Sequence, residues 1–172
     1  MQAQPTSALD SVPSTVSFPD DPWPLLRLVR TSAVKVHAPG QGAPALRHEG
    51  RGTVAIETPD APPDSSITWL ESGRWVGGPL RGIAFRNATL WERPAGEVPI
   101  RLSHLRRGAG QPTLLVTLRP VSPRCWRSAA PHLCGPDRYA AQLTWDDRTL
   151  TLLWEVVSPT DPYLLEWTAT FG

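Results

Sequence analysis

The feature that most limits what this chain can become is a period-two alternation of apolar and polar residues, repeated in run after run beyond Leu25. Residues two apart share one face of an extended strand, so such runs make half-buried strands. Along 83–92, Ile83, Phe85, Asn87, Thr89 and Trp91 share a face opposite Arg86 and Glu92. Ile100, Leu102 and His104 oppose Arg101 and Ser103; Tyr139, Ala141, Leu143 and Trp145 oppose Gln142 and Thr144. Leu150, Leu152, Trp154 and Val156 oppose Thr151 and Glu155, and Tyr163, Leu165, Trp167, Ala169 and Phe171 oppose Glu166, Thr168 and Thr170. With the runs 30–37, 53–58, 67–76, 98–105 and 113–118, the pattern predicts about nine strands joined by short turns.

Twenty prolines and 13 glycines in 172 residues exclude long helices. The expected fold is all-β, an antiparallel barrel or sandwich, with one short helix over 25–29 behind Asp21 and Pro22. Residues 1–22, rich in Pro and Ser, read as a flexible tail, and 23–172 as a single domain. Residues 121–136, bounded by Pro120, Pro123, Pro131 and Pro136, read as one long loop and a candidate lid.

Several function classes drop out. A formal net charge of +1 gives no basic surface for nucleic acid. No stretch approaches the roughly 20 apolar residues of a membrane helix. The N-terminus has neither the basic start nor the apolar run of a secretory signal, which points to the cytoplasm and to Cys125 and Cys134 as reduced thiols. His104, His132, Cys134 and Asp137 match no zinc spacing, so no metal is expected. Walker, H-E-x-x-H and nucleophile-elbow motifs are missing, and the two glycine-rich stretches, 77–78 and 108–110, lack a cofactor loop's context, so no cofactor is expected. Exposed strand edges are compatible with a homodimer.

Two segments carry a family resemblance. His132-Leu133-Cys134-Gly135-Pro136-Asp137-Arg138-Tyr139 and Trp154-Glu155-Val156-Val157-Ser158-Pro159 resemble the H-x-C-x-x-D-x-Y and W-x-V-x-G-P-x-K-D-Y segments of a bacterial family of unknown function. Glu71-Ser72-Gly73-Arg74, Leu90-Trp91 and Gly50-Arg51-Gly52 fit its upstream elements, so the likeness spans 25–171. It implies a compact lipocalin-like barrel. The chain departs from the pattern at Ser158–Tyr163, where a Lys-Asp pair is lost, and at Arg106–Gln111, where a histidine is lost. Those departures imply a specialised member.

A barrel of about eight strands either fills with side chains or holds one small ligand. An apolar inner face with sparse polar residues is what such a ligand site looks like. Parity places Asn87, His104, Tyr139, Trp154 and Tyr163 on that face. Together with Trp75 and His132 they form the expected site near the barrel mouth. Trp75, Asn87, His104, Trp154 and Tyr163 are the expected ligand contacts, while Trp91, Trp145 and Trp167 go to the core. His132 and Tyr139 are the expected catalytic donors to a substrate carbonyl; His132 and Asp137 can equally serve to fix a loop. Glu71 shares a face with Trp69 and either points inward as a buried carboxyl or pairs with Arg86 on the neighbouring strand, the latter being favoured. Arg106 and Arg107 read as a solvated strand end, with the further option of steering an anionic ligand. The functional expectation is a cofactor-independent cyclase or isomerase acting on a mostly apolar, polyketide-like small molecule in natural-product biosynthesis, with non-catalytic binding of a hydrophobic ligand as the alternative.

Overall fold

The structure, a computed structural model, describes residues 21–38, 45–58, 65–94 and 98–171. The tail expected over 1–22 lies outside these residues as far as residue 20. Asp21 and Pro22 are packed on the domain: Pro22 is fully buried, and Asp21 Oδ1 accepts the Trp23 N–H at 3.0 Å. A single turn of helix follows, α1 (Trp23–Leu26), earlier than the 25–29 expected. Pro24 fits its first turn, where no backbone donor is needed, and the chain is extended again from Val29.

The rest is strand: β1 (Val29–Ala38), β2 (Ala45–Glu57), β3 (Ser66–Gly77), β4 (Ala84–Glu92), β5 (Ile100–His104), β6 (Thr113–Ser122), β7 (Cys125–Ser128), β8 (His132–Cys134), β9 (Asp137–Trp145), β10 (Thr149–Val157) and β11 (Tyr163–Phe171). All pairings are antiparallel, from β10 through β11 and β1 round to β7, and β9 closes the ring by pairing with both β7 and β10. Ten strands therefore form a closed barrel. The short β8 lies along the stretch of β9 that β7 does not reach. Among the described residues no strand of the ring is unpaired along one whole side.

The segment 121–136 is not the open loop that its prolines suggest. Arg124, at φ 56°, makes a tight turn from β6 into β7, and Trp126, 3% exposed, anchors β7 in the core. One buried aromatic outweighs the turn chemistry around it, because a barrel missing this strand would expose the edges of β6 and β9.

The inner face sorts into two ends. Ile67, Trp91, Ile100, Leu118, Leu143 and Leu150 are fully buried towards one end. There α1 closes the barrel: Leu26 is fully buried, and its carbonyl accepts the Trp69 indole N–H at 2.9 Å. Arg93 Nη1 donates to Asp21 Oδ2 at 2.7 Å, a second hydrogen bond links Arg93 to Asp21 Oδ1, and the Arg93 guanidinium lies over the Trp23 and Trp126 rings. Among the described residues no helix is long and apolar enough to cross a membrane.

Candidate functional site

The other end opens into a cavity of about 490 Å³, within the range usual for small-molecule sites. Its floor is a cluster of indoles. Trp69 stacks on Trp167 at 5.0 Å between ring centres and tilts against Trp91 at 4.6 Å. Trp154, Leu165, Leu152 and Val156 supply an apolar wall from β10 and β11.

Glu71 stands above this floor, lining the cavity and only 8% exposed. It does not pair with Arg86. Odd residues of β3 and β4 face inward, so Arg86 is on the outer face while Glu71 and its register partner Asn87 face the lumen. Two donors hold the carboxylate by one oxygen: Ser32 Oγ at 2.5 Å and Trp167 Nε1 at 2.8 Å both donate to Oε1. Gly52 makes this possible, since a Cβ there would lie 3.2 Å from Ser32 Oγ and 2.7 Å from the Ser72 carbonyl. No described residue donates to the second oxygen, Oε2.

His104 ends β5 on the cavity wall, beside Thr89 in register. Its Nδ1 accepts the Arg106 backbone N–H at 2.8 Å, which in the neutral ring puts the proton on Nε2. Burial, then the Arg106 charge, holds its pKa below the ordinary histidine value, so the ring is a neutral donor at pH 7. Arg106 and Arg107 themselves line the rim.

Across the mouth one row of the sheet brings His132, Tyr139, Val156 and Tyr163 side by side on β8, β9, β10 and β11. The His132 and Tyr139 rings are 6.1 Å apart. The Tyr139 and Tyr163 hydroxyls share a hydrogen bond that either oxygen can donate. Burial pushes both phenols above their ordinary value, Tyr139 further through the Tyr163, Asp137 and Cys134 groups; for Tyr163 burial outweighs the opposing effect of its hydrogen bond with Tyr139. Both therefore remain protonated at neutral pH.

Asn87, His104, His132, Tyr139, Trp154 and Tyr163 thus line one cavity. Trp75 does not belong with them. It points inward by parity, but its ring packs with Phe85 at 5.3 Å and His48 at 5.7 Å, over the space left by Gly50. The bare inner faces of Gly50 and Gly73 draw the Trp75 and Phe85 rings into this corner, away from the lumen. Glu71, Arg106 and Arg107 join the lining. The parity of Glu71 with Trp69 was the available signal, whereas its donors come from strands distant in sequence. Cys134 also lines the cavity, and neither it nor Cys125 is in a disulfide. No group of three or more His, Cys, Asp or Glu among the described residues could hold a metal ion.

No curated protein and no solved structure matches the chain. The model of a family of unknown function, DUF6314, matches residues 22–168, which is nearly the whole described barrel. With this match covering well over half of its length, the chain belongs to that family.

Proposed function

We propose that the barrel takes one mostly apolar small molecule into its lumen and rearranges it there, as a cofactor-independent isomerase or cyclase. The observation that carries this reading is Glu71. A carboxylate this buried, held by one oxygen and facing an aromatic cavity, is more than storage of a hydrophobic ligand calls for. Burying polar groups in a binding pocket carries a free-energy penalty that an apolar lining avoids. In the proposed reaction Glu71 takes a proton from an acidic C–H or O–H of the substrate. The electron pair left behind moves onto a substrate carbonyl oxygen, and the His104 Nε2–H or the Tyr139 hydroxyl donates to that oxygen. Return of the proton from Glu71 to a different substrate atom completes the isomerisation. If the displaced electron pair instead attacks a second carbonyl carbon of the same molecule, that C=O π bond breaks, its oxygen takes the proton back from Glu71, and a ring closes. Confinement contributes by holding the reacting ends together. A lipocalin-like use of the barrel and a flexible, polyketide-like substrate are the finer parts of this proposal.

Benzoylacetone, an apolar β-diketone whose enol and keto forms differ in ultraviolet absorbance, tests the chemistry. The wild-type protein is expected to accelerate its ketonisation above the buffer rate, and Glu71→Gln to lose that acceleration while keeping its fold by circular dichroism. Lumen binding is measured separately with 1-anilinonaphthalene-8-sulfonate. One saturable site, blocked by Thr89→Trp, is expected. Saturable binding without acceleration of any enolisation would leave a carrier rather than an enzyme.

A further inference from the structure

We infer that Glu71 is the specificity residue of the lumen and that it selects a planar ligand with a hydroxyl, phenolic or enolic, at its inner end and an anionic group at its outer end. This rests on the lumen reading above and names the class of molecule the lumen takes.

The inner end follows from which polar atoms on the floor are already committed. Trp69 gives its N–H to the Leu26 carbonyl, and Trp167 gives its own to Glu71 Oε1. Ser32 also donates to Oε1. One polar atom is left over on the lining: Glu71 Oε2 has no donor among the described residues. The Trp91 indole N–H also lacks an acceptor, but that atom is fully buried and out of a ligand's reach. A hydrogen bond to an ionised acceptor is stronger than one between neutral groups, so a ligand that donates to Oε2 is favoured. A hydroxyl has the proton that Oε2 can accept. A carbonyl would set lone pairs against the carboxylate, and an ammonium would have to leave water for a wall of indoles. The stacked Trp69 and Trp167 faces, 25° from parallel, suit a flat body.

The outer end follows from the rim. Arg106 and Arg107 line it from the β5–β6 connection, and the Arg106 charge is close enough to disfavour protonation of His104. An anion seated there meets two guanidinium groups while the apolar body stays in the lumen. A molecule with the hydroxyl outermost would set its anion against Glu71.

Isothermal titration calorimetry of the full chain with 6-hydroxy-2-naphthoate and 2-naphthoate tests this, because the two probes differ only in the hydroxyl opposite the carboxylate. The wild-type protein is expected to bind the hydroxylated probe about tenfold tighter, as a hydrogen bond to a charged group gives. Glu71→Gln, which keeps an acceptor for Ser32 and Trp167, should reduce the advantage to within about twofold. Equal binding of both probes by the wild type, or a tenfold advantage retained in Glu71→Gln, overturns the assignment while leaving the lumen reading in place. If neither probe binds, both fall. Should Glu71→Gln fail to fold, the wild-type comparison still decides, since a missing hydroxyl preference alone overturns the inference.

Discussion

The two ends of this barrel are built from the same alternating strands, yet they use their polar groups differently. At the closed end, polar atoms are used to fasten one element to another. The Trp69 N–H holds Leu26, and Arg93 holds Asp21 while covering the Trp23 and Trp126 rings. At the mouth, His104 presents Nε2, Glu71 presents Oε2, and the Tyr139–Tyr163 pair sits at the rim, with none of these tying strand to helix. The inner face is aromatic at both ends, so apolarity does not distinguish them. What distinguishes structure from ligand site is where the uncommitted polar atoms lie: Glu71 and His104 carry theirs on the cavity lining, whereas Trp69 and Arg93 use N–H groups to hold Leu26 and Asp21.

The comparison breaks most sharply on a pair of substitutions. Trp69→Ala removes a ring packed between two other indoles and the donor to Leu26, on a residue 4% exposed. Loss of a buried Trp side chain costs about 3–5 kcal/mol, or roughly 6–20 °C in Tm for a chain of this size. Tyr139→Phe removes only a hydroxyl at the mouth and is expected to shift Tm by no more than about 2 °C. Thermal melts of the two variants check this. Equal losses would make the mouth tyrosines part of the core and remove the distinction between the ends.

A smaller effect sharpens the closed end. Burial raises the Asp21 carboxyl pKa, but the Arg93 hydrogen bond, the Trp23 N–H and the Arg93 charge outweigh it and hold the pKa below its ordinary value. A carboxylate depressed in the folded state contributes stability that is present above its unfolded value of about 3.9 and is lost as pH falls through the folded value. Stability should therefore decline below about pH 4 in the wild type, and Asp21→Asn should flatten part of that decline while lowering stability at pH 7. Urea unfolding at pH 3, 4 and 7 measures both. An unchanged acid limb in Asp21→Asn would show that the Arg93 pair contributes nothing to closure.

The fold was more legible than the site because strand faces are written locally and polar partnerships are not. Parity alone placed Leu143, Leu150, Trp167 and Ala169 inside, and it placed Asn87, His104, Tyr139, Trp154 and Tyr163 on the lining. It misplaced Trp75, because facing inward does not say which part of the interior a ring reaches, and Gly50 and Gly73 create a separate corner for it. The pairing of Glu71 with Arg86 failed on parity already available, since these residues lie on opposite faces. Its actual partners, Ser32 and Trp167, stand 39 and 96 residues away and meet it only when the barrel closes. The strand at 125–128 was hidden for a related reason. Its four residues are too short for alternation to register, and only pairing with β6 and β9 makes them a strand.

The smallest expected effect concerns the mouth and depends on two residues in contact. His104 is kept neutral by burial and by the Arg106 charge, so its folded pKa lies below the unfolded value of about 6.5. Between those two values the unfolded chain binds the proton and the folded one does not, so stability falls as pH drops below about 6.5. Arg106→Ala removes the charge but keeps the backbone N–H that Nδ1 accepts. The His104 pKa should therefore rise towards its ordinary value with the tautomer unchanged, and the stability loss between pH 6.5 and pH 5 should shrink. The His104 ring-proton titration by NMR, with unfolding at the two pH values, measures both quantities. The effect should fade in high salt, because the Arg106 side chain is exposed and its field is screened. A His104 that titrates unchanged in Arg106→Ala would mean that burial alone sets its charge, and that the arginine rim does not reach into the lumen where an anionic ligand end would have to feel it.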